Sequence, residues 1–152
     1  MAKKSAGVLL YRFVKTFPEV LLVHPGGPFW AKKDISAWSV PKGEFDEDEE
    51  PLKAAIREFK EELGVDVAGD FVELSPRKQK SGKIIYSWAL QFDIDVENIV
   101  SNTFELEWPP RTGKMITIPE IDKAAWYSFK EAKIKIIPGQ IPILEELEEK
   151  IQ

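Results

Sequence analysis

The chain has 152 residues, 43% apolar and 31% charged, with a formal net charge of −5, one histidine and no cysteine. That length fits about one domain with a core that needs no covalent staple, and the composition excludes collagen, low-complexity disorder and a plain coiled coil. The missing cysteines and single histidine exclude thiol chemistry and multi-histidine metal sites, so a metal would be held by oxygen, and the acidic balance argues against general nucleic-acid binding.

Residues 6–14 (AGVLLYRFV) and 19–24 (EVLLVH) predict two buried strands around a turn at Pro18. Arg12 interrupts the first apolar run, no small-residue cleavage site follows it, and no run approaches the roughly 18 residues of a membrane span. We therefore expect a cytoplasmic protein. Residues 25–36 (PGGPFWAKKDIS) predict a loop, 37–40 (AWSV) a short strand ended by Pro41, and 43–50 an acid-rich loop. Pro51 suits a first helical turn, while Leu52, Ala55, Ile56, Phe59 and Leu63 share one face. With Gly64 placed as a C-cap, the spacing predicts a helix over 51–63. Phe71–Leu74 and Lys83–Asp95 predict a hairpin turning near Ser81 and Gly82, and Thr103–Trp108 another strand. A loop is expected over 109–121, then a strand over Ala124–Phe129. Helices are expected over Lys130–Ile137 and Ile143–Ile151, broken by Pro138 and Gly139.

The segment with the most chemistry is Gly43–Val65, GEFDEDEEPLKAAIREFKEELGV. On a helix Glu58, Glu61 and Glu62 stand at i, i+3 and i+4 and line one face. Three carboxylates so close repel one another unless a cation offsets them, and they suit a hard divalent ion. Such an ion serves phosphate chemistry by neutralising developing charge and activating water. Arg57 adjoins the cluster, and its fork is placed to clamp Glu49 across the loop. A glutamate-rich helix face alone is most simply a solvated face; the longer pattern decides the matter.

That pattern resembles the Nudix box, G-x5-E-x7-R-E-U-x-E-E-x-G-U with U apolar. Gly43, Glu49, Arg57, Glu58, Glu61, Glu62 and Gly64 fill all seven fixed positions, with Phe59, Leu63 and Val65 among the residues between and after them. At roughly 5–10% usage per position, a chance match arises about once in 10⁸. The resemblance implies a Nudix-type α/β/α sandwich with a mixed β-sheet and a loop–helix–loop catalytic box, one domain over 1–152. It implies a Mg²⁺-dependent hydrolase of phosphoanhydride bonds, with Mn²⁺ as a substitute, acting on a small nucleotide or polyphosphate as monomer or homodimer. By position, Glu58, Glu61 and Glu62 are the implied metal ligands. One of them, or a water they hold, is the implied base. Gly43 offers a nearby carbonyl, and Glu120 is the candidate further carboxylate, ahead of Asp122. Arg57, Glu49 and Gly64 support the box.

Upstream, Trp38-Ser-Val-Pro41-Lys42-Gly43 resembles hydrolases of dinucleoside polyphosphates and of diphosphoinositol polyphosphates. Lys42 places a cation beside the carboxylates, where a polyphosphate would lie. Arg77, Lys83, Tyr86 and Trp88 are further candidate substrate contacts; Trp38 is grouped with them, but because it sits in a predicted strand it reads as core or pocket wall in preference to a surface that stacks a base. The loops 25–36 and 108–121 bring Phe29, Trp30, Trp108, Arg111 and Lys114 as weaker candidates. His24 reads as a structural histidine. The favoured substrate is a dinucleoside polyphosphate. The alternatives are nucleoside triphosphates, diphosphoinositol polyphosphates, RNA 5′ ends, or a module that binds a nucleotide without cleaving it.

Overall fold

A computed structural model describes residues 3–152. Strand β1 (Lys4–Val14) is central, and β2 (Phe17–Pro25) returns antiparallel beside it. Both strands are almost continuously apolar because both of their faces are covered. Along β1, Leu9 belongs to one core, while Ala6, Val8 and Leu10 belong to the other. The sheet order is β4–β6–β1–β2–β9, with β4 at Val72–Glu73, β6 at Ile84–Gln91 and β9 at Ile121–Ser128. Strands β3 (Lys42–Glu44) and β5 (Arg77–Lys78) pair with β1 and β6 respectively. Strands β1 and β6 run parallel and the other pairs antiparallel, so the sheet is mixed.

Helix α1 (Pro51–Leu63) buries Ala54, Ala55, Phe59 and Leu63 against the Val8 face. Pro51 begins it, and Gly64 ends it in the left-handed conformation (φ 74°) while donating to the Lys60 carbonyl at 2.7 Å. Helices α2 (Phe129–Lys135) and α3 (Ile141–Ile151) cover the other face through Phe129, Ala132, Ile143, Leu144 and Leu147. Helix, sheet and helices thus form three layers, the α/β/α sandwich expected from the resemblance. Among the described residues no helix is long and apolar enough to cross a membrane.

Two expected segments change character. The segment 109–121, read as loop, contains β8 (Met115–Pro119), which pairs with β7 (Thr103–Glu107) as a separate two-stranded ribbon. Its alternation is hidden by the prolines on either side, yet Ile116 and Ile118 stand opposite Leu106 and Phe104. Residues 37–40 form only isolated bridges, Val23 to Ser39 and Trp38 to Ile136. The strand lies just beyond, where Lys42–Glu44 pairs with Ser5, Ala6 and Gly7. Gln140, fully buried, anchors this stretch: its Oε1 accepts from the Val40 amide at 2.9 Å, and its Nε2 donates to Ser39 Oγ at 3.0 Å.

Phe59 is fully buried and joins α1 to the sheet. Truncating it loses transfer energy and leaves a cavity, so Phe59→Ala should cost about 3–5 kcal/mol, read as a lower urea midpoint at unchanged slope.

Candidate active site

The helical spacing carries Glu58, Glu61 and Glu62 to one end of α1 beside β3. Glu58 and Glu62 are buried, and Glu61 is half-buried. A Cβ on Gly43 would stand 1.9 Å from Glu58 Oε2, so only glycine lets this carboxylate lie against β3. Glu62 Oε1 accepts from the Lys42 backbone amide at 2.9 Å. Arg57 gives both sides of its guanidinium to Glu49, Nε to Oε2 and Nη2 to Oε1, each at 2.8 Å. Its Nη1 turns inward to Glu58 Oε1 at 2.9 Å and Glu61 Oε1 at 3.1 Å.

The electrostatics follow from crowding and burial. Burial pushes the Glu62 carboxyl up to about 8, against relief from the Lys42 amide and side chain, with Glu120 and Glu58 adding repulsion. Burial also raises Glu58, while the Arg57 charge beside it pulls back. Glu120 is raised by desolvation and by Glu61, so the fourth candidate shares the field of the other three. Glu49 is held below the usual carboxylate range by its bonds to Arg57, which is itself pushed up by them. Lys42 is lowered by burial and then by Lys83.

These oxygens fit a hard divalent cation. Among the described residues each of the three box glutamates accepts a hydrogen bond at Oε1, so Oε2 is the oxygen that would ligate a cation. Among the described residues no three acidic or histidine side chains already converge as a closed cage. Glu120 hangs from the ribbon root: its amide donates to the Asn102 carbonyl at 2.8 Å, and the Asn102 amide donates to the Glu61 carbonyl at 2.8 Å.

Lys83 joins Lys42 at this end, 3.9 Å from Glu44 Oε1. Glu44 stands beside a run of acids, with nothing in the sequence to single it out. Tyr86 is half-buried, edge-on to Phe45 at 6.0 Å, next to the box loop. Trp88 packs with the Val8 core.

Two residues leave the group of substrate contacts. Trp38, read as core or pocket wall, is only 3% exposed. Its Nε1 donates to Asp34 at 2.9 Å, and its ring lies between His24 and Tyr127, each 5.2 Å away. It is core. Arg77 does not join the lysines: its Nη2 donates to Glu146 on α3 at 3.0 Å, tying β5 to the opposite layer. His24 is buried, with Nδ1 2.8 Å from Asp122 and Nε2 donating to the Lys33 carbonyl at 2.6 Å.

Comparison with known proteins accords with this geometry. A family model described as NUDIX domain matches residues 1–147. An RNA pyrophosphohydrolase of Rhizobium meliloti (strain 1021) is 27% identical over 125 residues, 72% of this chain and 70% of the relative. A C. elegans Ap4A hydrolase in a binary complex superposes with a TM-score of 0.68 at 21% identity, over 99% of this chain and 98% of that one. The NUDIX domain of Shewanella oneidensis NrtR, complexed with ADP ribose, gives a TM-score of 0.69 at 14% identity, covering 100% and 90%. These likenesses share the fold, and the family model spans nearly the whole chain. With the box glutamates, their arginine and both glycines in place, the chain belongs to the Nudix family, as one of its phosphoanhydride hydrolases.

Proposed function

We propose that the chain hydrolyses a nucleoside diphosphate linked to a second group, with a dinucleoside polyphosphate as the preferred substrate. The observation that carries this reading is the juxtaposition of Lys42 and Lys83 with four mutually repelling carboxylates. A polyphosphate needs cations along its length and a metal site at the bond to be broken. Here the two kinds of group meet at one end of β3.

Glu58, Glu61, Glu62 and Glu120 would hold Mg²⁺, or Mn²⁺ in its place, with the Gly43 carbonyl close by. Once bound, that ion neutralises the phosphate oxygens and activates water. The chain's own groups do the rest. Lys42 and Lys83 bind and orient the phosphates. One box glutamate, or a water it holds, accepts the proton of the attacking water. The new P–O bond forms as the bridging P–O bond breaks, and the leaving phosphate carries the bond's electron pair. Arg57 and Glu49 keep the loop against the helix so that the carboxylates stay in register.

The RNA pyrophosphohydrolase among the relatives favours a second reading, a triphosphorylated RNA 5′ end. Purified protein with Mg²⁺ and a panel of diadenosine polyphosphates, nucleoside triphosphates, ADP-ribose and 5′-triphosphate RNA separates the two. Fastest turnover of diadenosine polyphosphates supports the first reading, and fastest turnover of RNA replaces it with the second.

Glu62→Gln keeps the side chain's shape but removes its charge. If Glu62 takes the proton, kcat on the best substrate should fall about 10²–10⁴-fold. Gly43→Ala puts a methyl where Glu58 Oε2 lies. Activity or Mg²⁺ affinity should then fall about 10–100-fold, as for other groups that orient a metal ligand. Unchanged kinetics in both variants would remove the box from the reaction.

The raised Glu62 pKa also makes a stability prediction. In the folded protein it lies near 8, against an ordinary 4.5, so the fold binds the proton more tightly than the unfolded chain does. Stability from this group is therefore complete below about pH 4.5 and is lost as pH rises toward about 8. Melting temperatures in EDTA should fall across that window, fall less in Glu62→Gln, and recover with Mg²⁺ most strongly at the alkaline end. Parallel wild-type and Glu62→Gln profiles would show that Glu62 is not the titrating group.

A further inference from the structure

Strand β9 ends the sheet. It pairs with β2 on one side, and among the described residues no strand pairs with its other side. Which main-chain groups face that free side follows from β2. Val23 exchanges both of its main-chain bonds with Ser39, the Val23 amide donating at 2.9 Å and its carbonyl accepting at 3.0 Å. Strand β9 lies on one side of Val23, so Ser39 is on the other, and Val23 has nothing left to offer β9. Its cross-strand partner Ala124 is therefore in a non-hydrogen-bonded pair and turns its N–H and C=O outward. Alternation gives Trp126 and Ser128 the same outward direction, while Lys123, Ala125 and Tyr127 bond to β2.

This edge lacks the devices that keep exposed strands apart. It runs for eight residues without a proline, and Ala124–Ser128 carries no charge. A cavity of about 580 Å³ lies along it, lined by Ala124 and Ala125 of the strand, by Val96 and Ile99 on one flank and by Asp34 on the other. Asp34 is fixed by Lys135 and by the Trp38 indole, yet about half of its side chain is exposed. Lys123 is exposed and, among the described residues, forms no ion pair.

We infer that β9 is a dimer interface, on which a second copy of the chain lays its own β9 antiparallel about a two-fold axis and joins the two sheets. Outward residues must meet outward residues, so the axis passes through one residue and not between two. Charge and size place it at Ala125. Lys123 then stands opposite Tyr127 of the partner subunit, on the flank that carries Asp34, and symmetry repeats that opposite-charge contact. On the other face Ala124 meets Trp126 of the partner subunit, small against large, and the two exchange main-chain bonds. An axis at Trp126 would instead oppose two indoles, each with an Arg12 guanidinium 4.3 Å from its ring centre. The inference is independent of the substrate.

The test is the oligomeric state of the full chain. Sedimentation should give twice the mass of one chain, falling to one on dilution, because a single strand pair buries little surface. Ala124→Pro removes an outward N–H and leaves the β2 ladder whole, and proline is tolerated at such edge positions. It should weaken the dimer about tenfold or more, since each dimer loses a main-chain bond at both ends. Lys123→Glu, a surface change, should weaken it in the same direction and covers an Ala124→Pro chain that fails to fold. The chain has no cysteine, so Ala125→Cys adds one thiol per subunit. Opposed Cα atoms of a non-hydrogen-bonded pair lie about 4.5 Å apart, within disulfide reach. Mild oxidation should lock Ala125→Cys into a covalent dimer and leave Ile134→Cys, exposed on α2, as single chains. A monomer at every concentration overturns the interface. So does a dimer that ignores both Ala124→Pro and Lys123→Glu, or an Ala125→Cys chain that crosslinks no better than Ile134→Cys.

Discussion

Arg57 donates to both oxygens of Glu49 and, through its third nitrogen, to Glu58 and Glu61. One guanidinium therefore meets three carboxylates, and it is the rigid planar fork that makes this geometry achievable. The outer pair of bonds fixes the acidic loop over the helix. The inner bonds hold two glutamates that would otherwise swing to solvent to escape each other. Because the positive charge is outnumbered, the cluster stays negative. A lysine could match the charge but could not span loop and helix at once.

The second constraint is burial. Glu62 is only 5% exposed and Glu58 only 9%, yet each is a carboxylate among carboxylates. Desolvation and repulsion act together there, and a fold selected for stability alone would place apolar side chains in those positions. What offsets the burden is local: the Lys42 amide donates to Glu62, and the missing side chain at Gly43 gives Glu58 its room. Strand β3 is three residues long and does little for the sheet as a whole. Its value lies in carrying that amide, that glycine and the Lys42 side chain to one place. Perturbed carboxyls meeting lysines beside a cavity are the signature expected of a site rather than of a scaffold.

The parts legible in the sequence are those whose cause is local. Helix α1 begins at Pro51 and ends at Leu63 as its apolar spacing and flanking residues imply. The Arg57–Glu49 pair spans eight residues, and its fork could be inferred from the box alone. Where the cause is distant, the reading failed. Arg77 is taken by Glu146, 69 residues away, so its charge never reaches the lysines. Trp38, read from its strand as core or pocket wall, is core, with Tyr127 of β9 edge-on against it. The ribbon of β7 and β8 was half missed, because Pro109 and Pro110 resemble the start of a long loop until Ile116 and Ile118 are set opposite their partners. Glu120 was within reach only as an acid ahead of an aromatic strand. Its field at the box depends on how the ribbon root is tied to Asn102.

That tie continues into the 25–36 loop. The Glu120 carbonyl accepts from the Gly26 amide at 3.0 Å, and a Cβ at Gly26 would come within 2.1 Å of the Pro119 carbonyl. The two backbones thus touch where the 25–36 loop leaves β2, four residues before Trp30. His24, immediately upstream, binds Asp122 on one side and the Lys33 carbonyl on the other. Segment 119–122 and the tryptophan loop are therefore one braced unit. Displacing the loop would displace the backbone that presents Glu120.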